Sequence, residues 1–231
     1  MRIGIICAIP NELRYFNFTE NPIQKIGKRK FYKGTHDKHE LILVQSGLGK
    51  VNAAVVSTLL IEKFDCEFIF FSGVAGGIDP GIEIGEVIIG ESLIQYDYGT
   101  LKNREMLPFR PGSIPIGEPK NEIEYRLAPK IKHKIKASLP NIRMGKILTG
   151  DVYLQCEETK KELFEKFGAQ AIDMEGAAVA QVAEQFGIPL VVVRCLSDLA
   201  GADKQQLSSK FLNKAAKRSF NTAQKILNIF L

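Results

Sequence analysis

Residues 46–77, SGLGKVNAAVVSTLLIEKFDCEFIFFSGVAGG, decide the fold. The glycines of Ser46-Gly47-Leu48-Gly49 precede Val51–Phe64, where apolar residues recur at helical spacing. Glu67–Phe71 then forms a continuous apolar run of strand length and enters Ser72-Gly73-Val74-Ala75-Gly76-Gly77. This is a βαβ arrangement with a glycine-rich loop at a strand's carboxyl end, where open α/β sheets bind ligands. No Gly-Lys-Ser/Thr follows and the GxGxxG spacing is missing, so the loop is neither a Walker loop nor a dinucleotide fingerprint. It reads either as backbone that can approach a ligand closely or as a tight strand-to-loop turn.

Strand and helix segments alternate on both sides of this unit. Upstream, Arg2–Ala8 reads as a buried strand, and Lys30–Gly34 and Glu40–Val44 as two strands around the polar turn Thr35–Lys38. Downstream, strands are expected at Glu86–Gln95, Arg143–Leu148, Gln170–Asp173 and Pro189–Leu196. Helices are expected at Glu122–Ala137, Glu157–Phe167, Gly176–Phe186 and Ser208–Leu231. Tyr96–Pro119, rich in Pro and Gly, reads as a long loop, functional or locally mobile. The alternation predicts an α/β fold, and with no repeat or linker the 231 residues make a single domain, 1–231.

Composition narrows the function classes. A hydrophobic content of 45% supports one sizeable core. The longest apolar stretches, Phe68–Phe71 and Ile188–Val193, are too short to cross a bilayer, and Met1–Ile6 reads as a strand, so no membrane or export role is expected and the location is cytoplasmic. Cys7, Cys66, Cys156 and Cys195 show neither CxxC nor His at ligand spacing, which predicts reduced, mostly buried thiols and no metal site. The surplus of 31 Lys and Arg over 26 Asp and Glu, with clusters at Lys25–Lys33 and Lys130–Lys136, raises nucleic-acid binding. Ile131 and Ile135 at i, i+4 instead make the second cluster an amphipathic helix with a solvated face, so no nucleic-acid partner is expected. His36, His39 and His133, in a polar turn or on that helix, do not read as general bases.

Four constellations could carry chemistry. In Ala8-Ile9-Pro10-Asn11-Glu12 an acid follows the first strand; Asn11 could simply cap a helix and Glu12 favour its dipole. In Asp173-Met174-Glu175-Gly176-Ala177 two carboxylates flank a Met where a strand meets a helix; Asp173 has an equally good reading as a cap or hydrogen-bond partner. Arg194-Cys195-Leu196-Ser197-Asp198 ends an apolar strand in polar residues that either begin a turn or, if Asp198 is desolvated, supply a proton donor. In Gly150-Asp151-Val152-Tyr153-Leu154 an aromatic residue opens a loop, suited to stacking on a planar base or to ordinary packing.

Taken together and in this order, these segments, with Ser46–Val51 and Ser72–Gly77, resemble the 5′-methylthioadenosine/S-adenosylhomocysteine nucleosidases of the nucleoside phosphorylase superfamily along nearly the whole chain. The resemblance implies a three-layer αβα sandwich around a mixed, barrel-like twisted sheet, an adenine nucleoside substrate, no cofactor, and a homodimer whose partner closes part of the pocket. It makes Asp198, oriented by Ser197, the acid for adenine N7. It makes Glu12 the base for the attacking water, and Glu175 the carboxylate that holds the ribose hydroxyls and stabilises oxocarbenium-like charge. Tyr153 falls at the base-stacking position, Leu154 at the base edge, Val74, Ala75, Gly76 and Met174 along ribose and base, and Ile9 and Arg194 near the water and Glu12. Two departures stand out: Val74 where the hydrolases often carry Ser, and Tyr96-Asp97-Tyr98 where many carry a His-Asp pattern. Rival readings are a phosphate-dependent phosphorylase of the same fold, a nucleosidase for aminodeoxyfutalosine or 5′-deoxyadenosine, and a silent nucleoside-binding protein.

Overall fold

The computed structural model describes residues 1–119, 122–201 and 209–230. Strand β1 (Arg2–Cys7) leads into one helical turn, α1 (Pro10–Leu13). The antiparallel strands β2 (Gln24–Ile26), β3 (Arg29–His36) and β4 (His39–Gln45) follow, then helix α2 (Lys50–Glu62) and strands β5 (Phe68–Gly77) and β6 (Val87–Gln95). A hairpin of β7 (Gly99–Lys102) and β8 (Glu105–Pro108) precedes the two-residue β9 (Tyr125–Arg126). The chain finishes with α3 (Pro129–Ser138), β10 (Arg143–Thr149), α4 (Glu157–Phe167), β11 (Ala171–Asp173), α5 (Gly176–Phe186), β12 (Leu190–Leu199) and α6 (Ser209–Ile229).

The sheet is mixed and closes on itself. β5 pairs parallel with β12, β12 antiparallel with β6, β6 parallel with β10, and β10 parallel with β11. β11 returns to β5 through Ala171↔Gly77 and Ile172↔Gly76, completing a five-stranded barrel. β1 joins β5 to β4, from which β3 and β2 extend. Alternation along the central strands separates two apolar layers. Ile3, Ile5, Phe68, Phe70, Val191 and Val193 pack with α3 and α6 residues such as Ile135 and Ile226. Ile6, Ile69, Phe71 and Val192 pack with α2 and α5 through Val56, Leu60 and Val179. Each such fully buried side chain contributes about 1.5–3 kcal/mol. Gly4 lies on the α2 face, where a Cβ would come within 2.9 Å of Leu60 Cδ1, so that helix sits close because β1 has no side chain there. The expected three-layer sandwich around a barrel-like sheet is the architecture observed.

Several boundaries move. Ser72–Gly77 is strand rather than loop, because β12 and β11 flank it and supply hydrogen-bond partners as the barrel closes. β12 likewise runs through Ser197 and Asp198. The helix expected from Glu122 starts at Pro129; before it, Tyr125 and Arg126 pair with Leu93 and Ser92. The long 96–119 segment contains the β7–β8 hairpin. Of the expected Ser208–Leu231 helix, Ser208 and Leu231 lie outside the described residues. Ile131 and Ile135 are buried, in keeping with the amphipathic reading of the Lys130–Lys136 cluster. All four cysteines are free, and Cys7, Cys66 and Cys195 are buried. Among the described residues no helix is long and apolar enough to cross a membrane.

Candidate active site

A largely apolar cavity of about 220 Å³ opens where β1, β5, β10, β11 and β12 end or pass into loops. Glu12, Glu175 and Asp198 all face it. Ile9 and the β5 residues Val74, Ala75 and Gly76 form one wall, and Met174 and Ser197 another. Tyr153, half exposed, lies at the mouth, and the buried Leu154 lines the cavity beside it. Every site residue expected from the sequence borders this cavity except Arg194, which is buried behind the wall.

Glu12 is set by the turn that follows β1. Ile9 occupies the N-cap position of α1, and Glu12 reaches back so that its Oε2 accepts the backbone N–H of Ala8 at 2.7 Å and of Ile9 at 3.1 Å. Its Oε1 accepts the N–H of Val74 at 2.9 Å. Glu12 therefore belongs to the helix start and to the cavity at once. Asn11 does not cap; its side-chain amide donates to Asn213 Oδ1 at 2.8 Å. Burial pushes the Glu12 carboxyl above its ordinary range, against the opposing effects of Arg194 and the three N–H donors. A buried carboxylate raised in this way is a better base than a solvated one. Gly73 makes the geometry possible: a Cβ there would sit 2.8 Å from Glu12 Oε1 and 3.0 Å from Arg194 Nη1. Part of the glycine-rich stretch thus gives room to Glu12 in the wall and Arg194 behind it.

Asp173 takes the structural role. Its Oδ1 accepts from Thr149 Oγ1 at 2.6 Å and from the Gly176 N–H at 3.1 Å, and its Oδ2 accepts from Arg194 Nε at 2.9 Å. It pins the start of α5 and leaves Glu175, two residues on, facing the cavity. Glu175 Oε1 accepts the Gly49 N–H at 2.9 Å. Burial and, after it, the neighbouring Asp173 charge push the Glu175 carboxyl up to about 7, opposed by Arg194 and the Gly49 amide.

A bulge aims Asp198. The register of β12 against β5 shifts between Leu196, opposite Ala75, and Asp198, opposite Gly76. The extra residue breaks strict alternation, which lets both Ser197 and Asp198 border the cavity. Ser197 Oγ donates to Asp198 Oδ2 at 2.7 Å. Burial raises the Asp198 carboxyl, while the Ser197 hydroxyl and the more distant Lys160 pull it down. The arrangement can retain a proton on an acid that a water-exposed Asp would lose.

Leu48, Val152 and Leu212 also line the cavity and were not singled out as site residues. For Leu48 a signal existed in the Ser46–Gly49 glycines. For Leu212, on α6, none did, since its approach depends on how a distant helix packs.

The site is thus a mixed α/β barrel with carboxylates gathered at one edge, and its family is shown by comparison with known proteins. The model of the phosphorylase superfamily matches residues 2–230. A Mycobacterium tuberculosis 5′-methylthioadenosine/S-adenosylhomocysteine nucleosidase is 37% identical over 247 residues, covering 98% of this chain and 97% of that protein. The solved structure of the S. pneumoniae nucleosidase of the same name, with a transition-state inhibitor, superposes with a TM-score of 0.85 at 28% identity and covers 100% of both chains. The futalosine hydrolase of Helicobacter pylori superposes with a TM-score of 0.84 at 29% identity, covering 99% of this chain and 97% of that one. The chain belongs to the phosphorylase superfamily and, within it, to the family of the 5′-methylthioadenosine/S-adenosylhomocysteine nucleosidases.

Proposed function

We propose that the chain hydrolyses the N-glycosidic bond of 5′-methylthioadenosine and S-adenosylhomocysteine, releasing adenine and the 5′-thioribose. One observation carries this reading: four carboxylates border one apolar cavity, Asp173 tied up by Arg194 and the start of α5 and Glu12, Glu175 and Asp198 in three different environments, and among the described residues no Lys or Arg borders it. Adenine leaves poorly as an anion, so the bond opens when a proton reaches the base while positive charge builds on the sugar. Asp198, its carboxyl raised by burial and oriented by Ser197, supplies that proton to N7. Glu175 holds the ribose hydroxyls and offsets the oxocarbenium-like charge. Glu12, anchored by three backbone amides, takes the proton of the water that attacks the anomeric carbon. Ile9, Val74, Ala75, Gly76 and Met174 enclose ribose and base, Tyr153 stacks on adenine, and the Leu154 backbone meets its edge.

Arg194 acts from behind the wall by countering the charge on Glu12 and Glu175. A phosphorylase would have to hold a phosphate dianion among these acids, which calls for cationic donors. The exposed apolar side chains Leu48, Val152 and Tyr153 on the cavity and Val51 and Val55 on α2 support a homodimer in which a second copy covers this edge. Four free cysteines support a cytoplasmic location.

The test is incubation with methylthioadenosine, adenosylhomocysteine, aminodeoxyfutalosine, 5′-deoxyadenosine and inosine, with and without phosphate, following free base. Adenine release from the first two at the same rate without phosphate is expected. Strict phosphate dependence sinks the hydrolase reading, and preference for aminodeoxyfutalosine or 5′-deoxyadenosine reassigns the 5′ substituent.

A further inference from the structure

Three strand-end loops meet at Lys50. Its Nζ donates to Asp97 Oδ1 at 2.6 Å and lies 3.8 Å from Asp151 Oδ2. Its backbone N–H donates to Asp151 Oδ1 at 2.8 Å, and the Asp151 N–H donates to Asp97 Oδ2 at 2.9 Å. Each of the three residues thus touches the other two, closing a ring across the loops that follow β4, β6 and β10. The Lys50 and Asp97 side chains are only 18% and 20% exposed, so this pair is shielded more than an ordinary surface pair, while Asp151 is half exposed.

The ring abuts the candidate site on two sides. Gly49, next to Lys50, donates its N–H to Glu175. Gly49 adopts φ +95°, and a Cβ there would lie 3.1 Å from Asp151 Oδ1. A glycine is therefore what allows this backbone turn and the Asp151 carboxylate to share the space. On the other side, Val152 and Tyr153 follow Asp151 directly into the cavity wall.

We propose that Lys50, Asp97 and Asp151 are positioning residues for the hydrolytic reaction: their ring holds the Gly49 amide against Glu175 and fixes Tyr153 at the mouth, so that sugar and base are gripped in register. This rests on the nucleosidase reading above. It also gives Asp97 a role in the Tyr96-Asp97-Tyr98 segment, where the chain departs from the pattern of many hydrolases. Glu175 is faced by Asp173 and Glu12, which oppose its ionisation, and by Arg194 and the Gly49 amide, which favour it. Loosening the ring weakens the last of these, so Glu175 holds its proton to higher pH.

The experiment compares full-length Lys50→Met, Lys50→Arg and Asp97→Asn with the parent chain. It measures methylthioadenosine hydrolysis from pH 5 to 9, thermal melting, and the titration of Glu175 by carboxyl NMR of ¹³C-glutamate-labelled protein, assigned with Glu175→Gln. Lys50→Met is expected to lower kcat/KM about tenfold or more, the range for losing a hydrogen bond to a charged group. Its acid limb and the Glu175 titration should both move to higher pH. Lys50→Arg should restore most of each effect, and Asp97→Asn, the milder change, should shift both in the same direction by less. Unmoved acid limb and Glu175 titration in Lys50→Met and Asp97→Asn overturn the proposal, whatever happens to melting. If Lys50→Met does not fold, Asp97→Asn decides alone. If the parent chain releases no adenine, the nucleosidase reading fails instead, and the Glu175 titration still decides whether the ring sets that carboxylate.

Discussion

Arg194 Nε lies 2.9 Å from Asp173 Oδ2 with both side chains 1% exposed, and the guanidinium carbon stands 3.9 Å from the centre of the Phe71 ring. This pair sits directly behind the carboxylates of the cavity, and its charge reaches Glu12 and Glu175. Breaking a buried pair by removing one partner leaves an uncompensated charge, at a cost of about 3–5 kcal/mol. Arg194→Met should therefore destabilise the chain by about that amount in urea unfolding. A loss below about 1 kcal/mol would show that Asp173 finds other partners.

Asp198→Asn removes the proposed proton donor while keeping shape and a polar contact. Turnover should fall by about 10²- to 10⁴-fold, the usual contribution of a general acid, with nucleoside affinity changed much less. Ser197→Ala removes a hydroxyl that favours the Asp198 carboxylate, so the acid form persists to higher pH and the alkaline limb of the rate profile moves up. Unchanged turnover in Asp198→Asn refutes its assignment as the acid.

Glu175 also makes stability depend on pH. Its folded-state value of about 7 is above the ordinary carboxylate range, so the folded chain binds a proton that the unfolded chain has released. The associated stability is fully present below about pH 4.5 and is lost as pH rises to about 7. Glu175→Gln, which can still accept from Gly49, should gain on the parent chain across that window by on the order of 2–3 kcal/mol. Denaturant titrations at pH 5 and pH 8 measure the difference; a gap that does not widen at pH 8 rules this out.

Gly73→Ala places a methyl group 2.8 Å from Glu12 Oε1 and 3.0 Å from Arg194 Nη1, neither of which can retreat freely. Overpacking of this kind costs about 1–3 kcal/mol. Because the displaced atom belongs to the proposed base, kcat should fall about tenfold or more as well. A melting temperature and kcat equal to those of the parent chain would count against the tight packing of Glu12.

Helices α4 and α5 were legible in the sequence to both boundaries. Each carries a clear apolar period and ends at a left-handed glycine, Gly168 or Gly187, so local chemistry suffices to start and stop it. The strands around Gly73 and Asp198 were less legible, since glycines and polar residues at a strand end read as loop until a neighbouring strand pairs with them. Asn11 and Asp173 show the same division: both are plausible helix caps on sequence grounds, yet only Asp173 bonds to a helix start.

By itself the sequence determined the α/β alternation and the family likeness and singled out Glu12, Glu175 and Asp198 as candidates, because periodicity and motif order are carried by residues close together in the chain. Tertiary structure alone decided that Arg194 stands behind the cavity wall, that Leu212 approaches from α6, and that Lys50, Asp97 and Asp151 close a ring. Those relationships join residues separated by dozens of positions. They exist only once barrel closure has brought the strand ends to one edge, where burial and neighbouring charge give each carboxylate its own affinity for a proton.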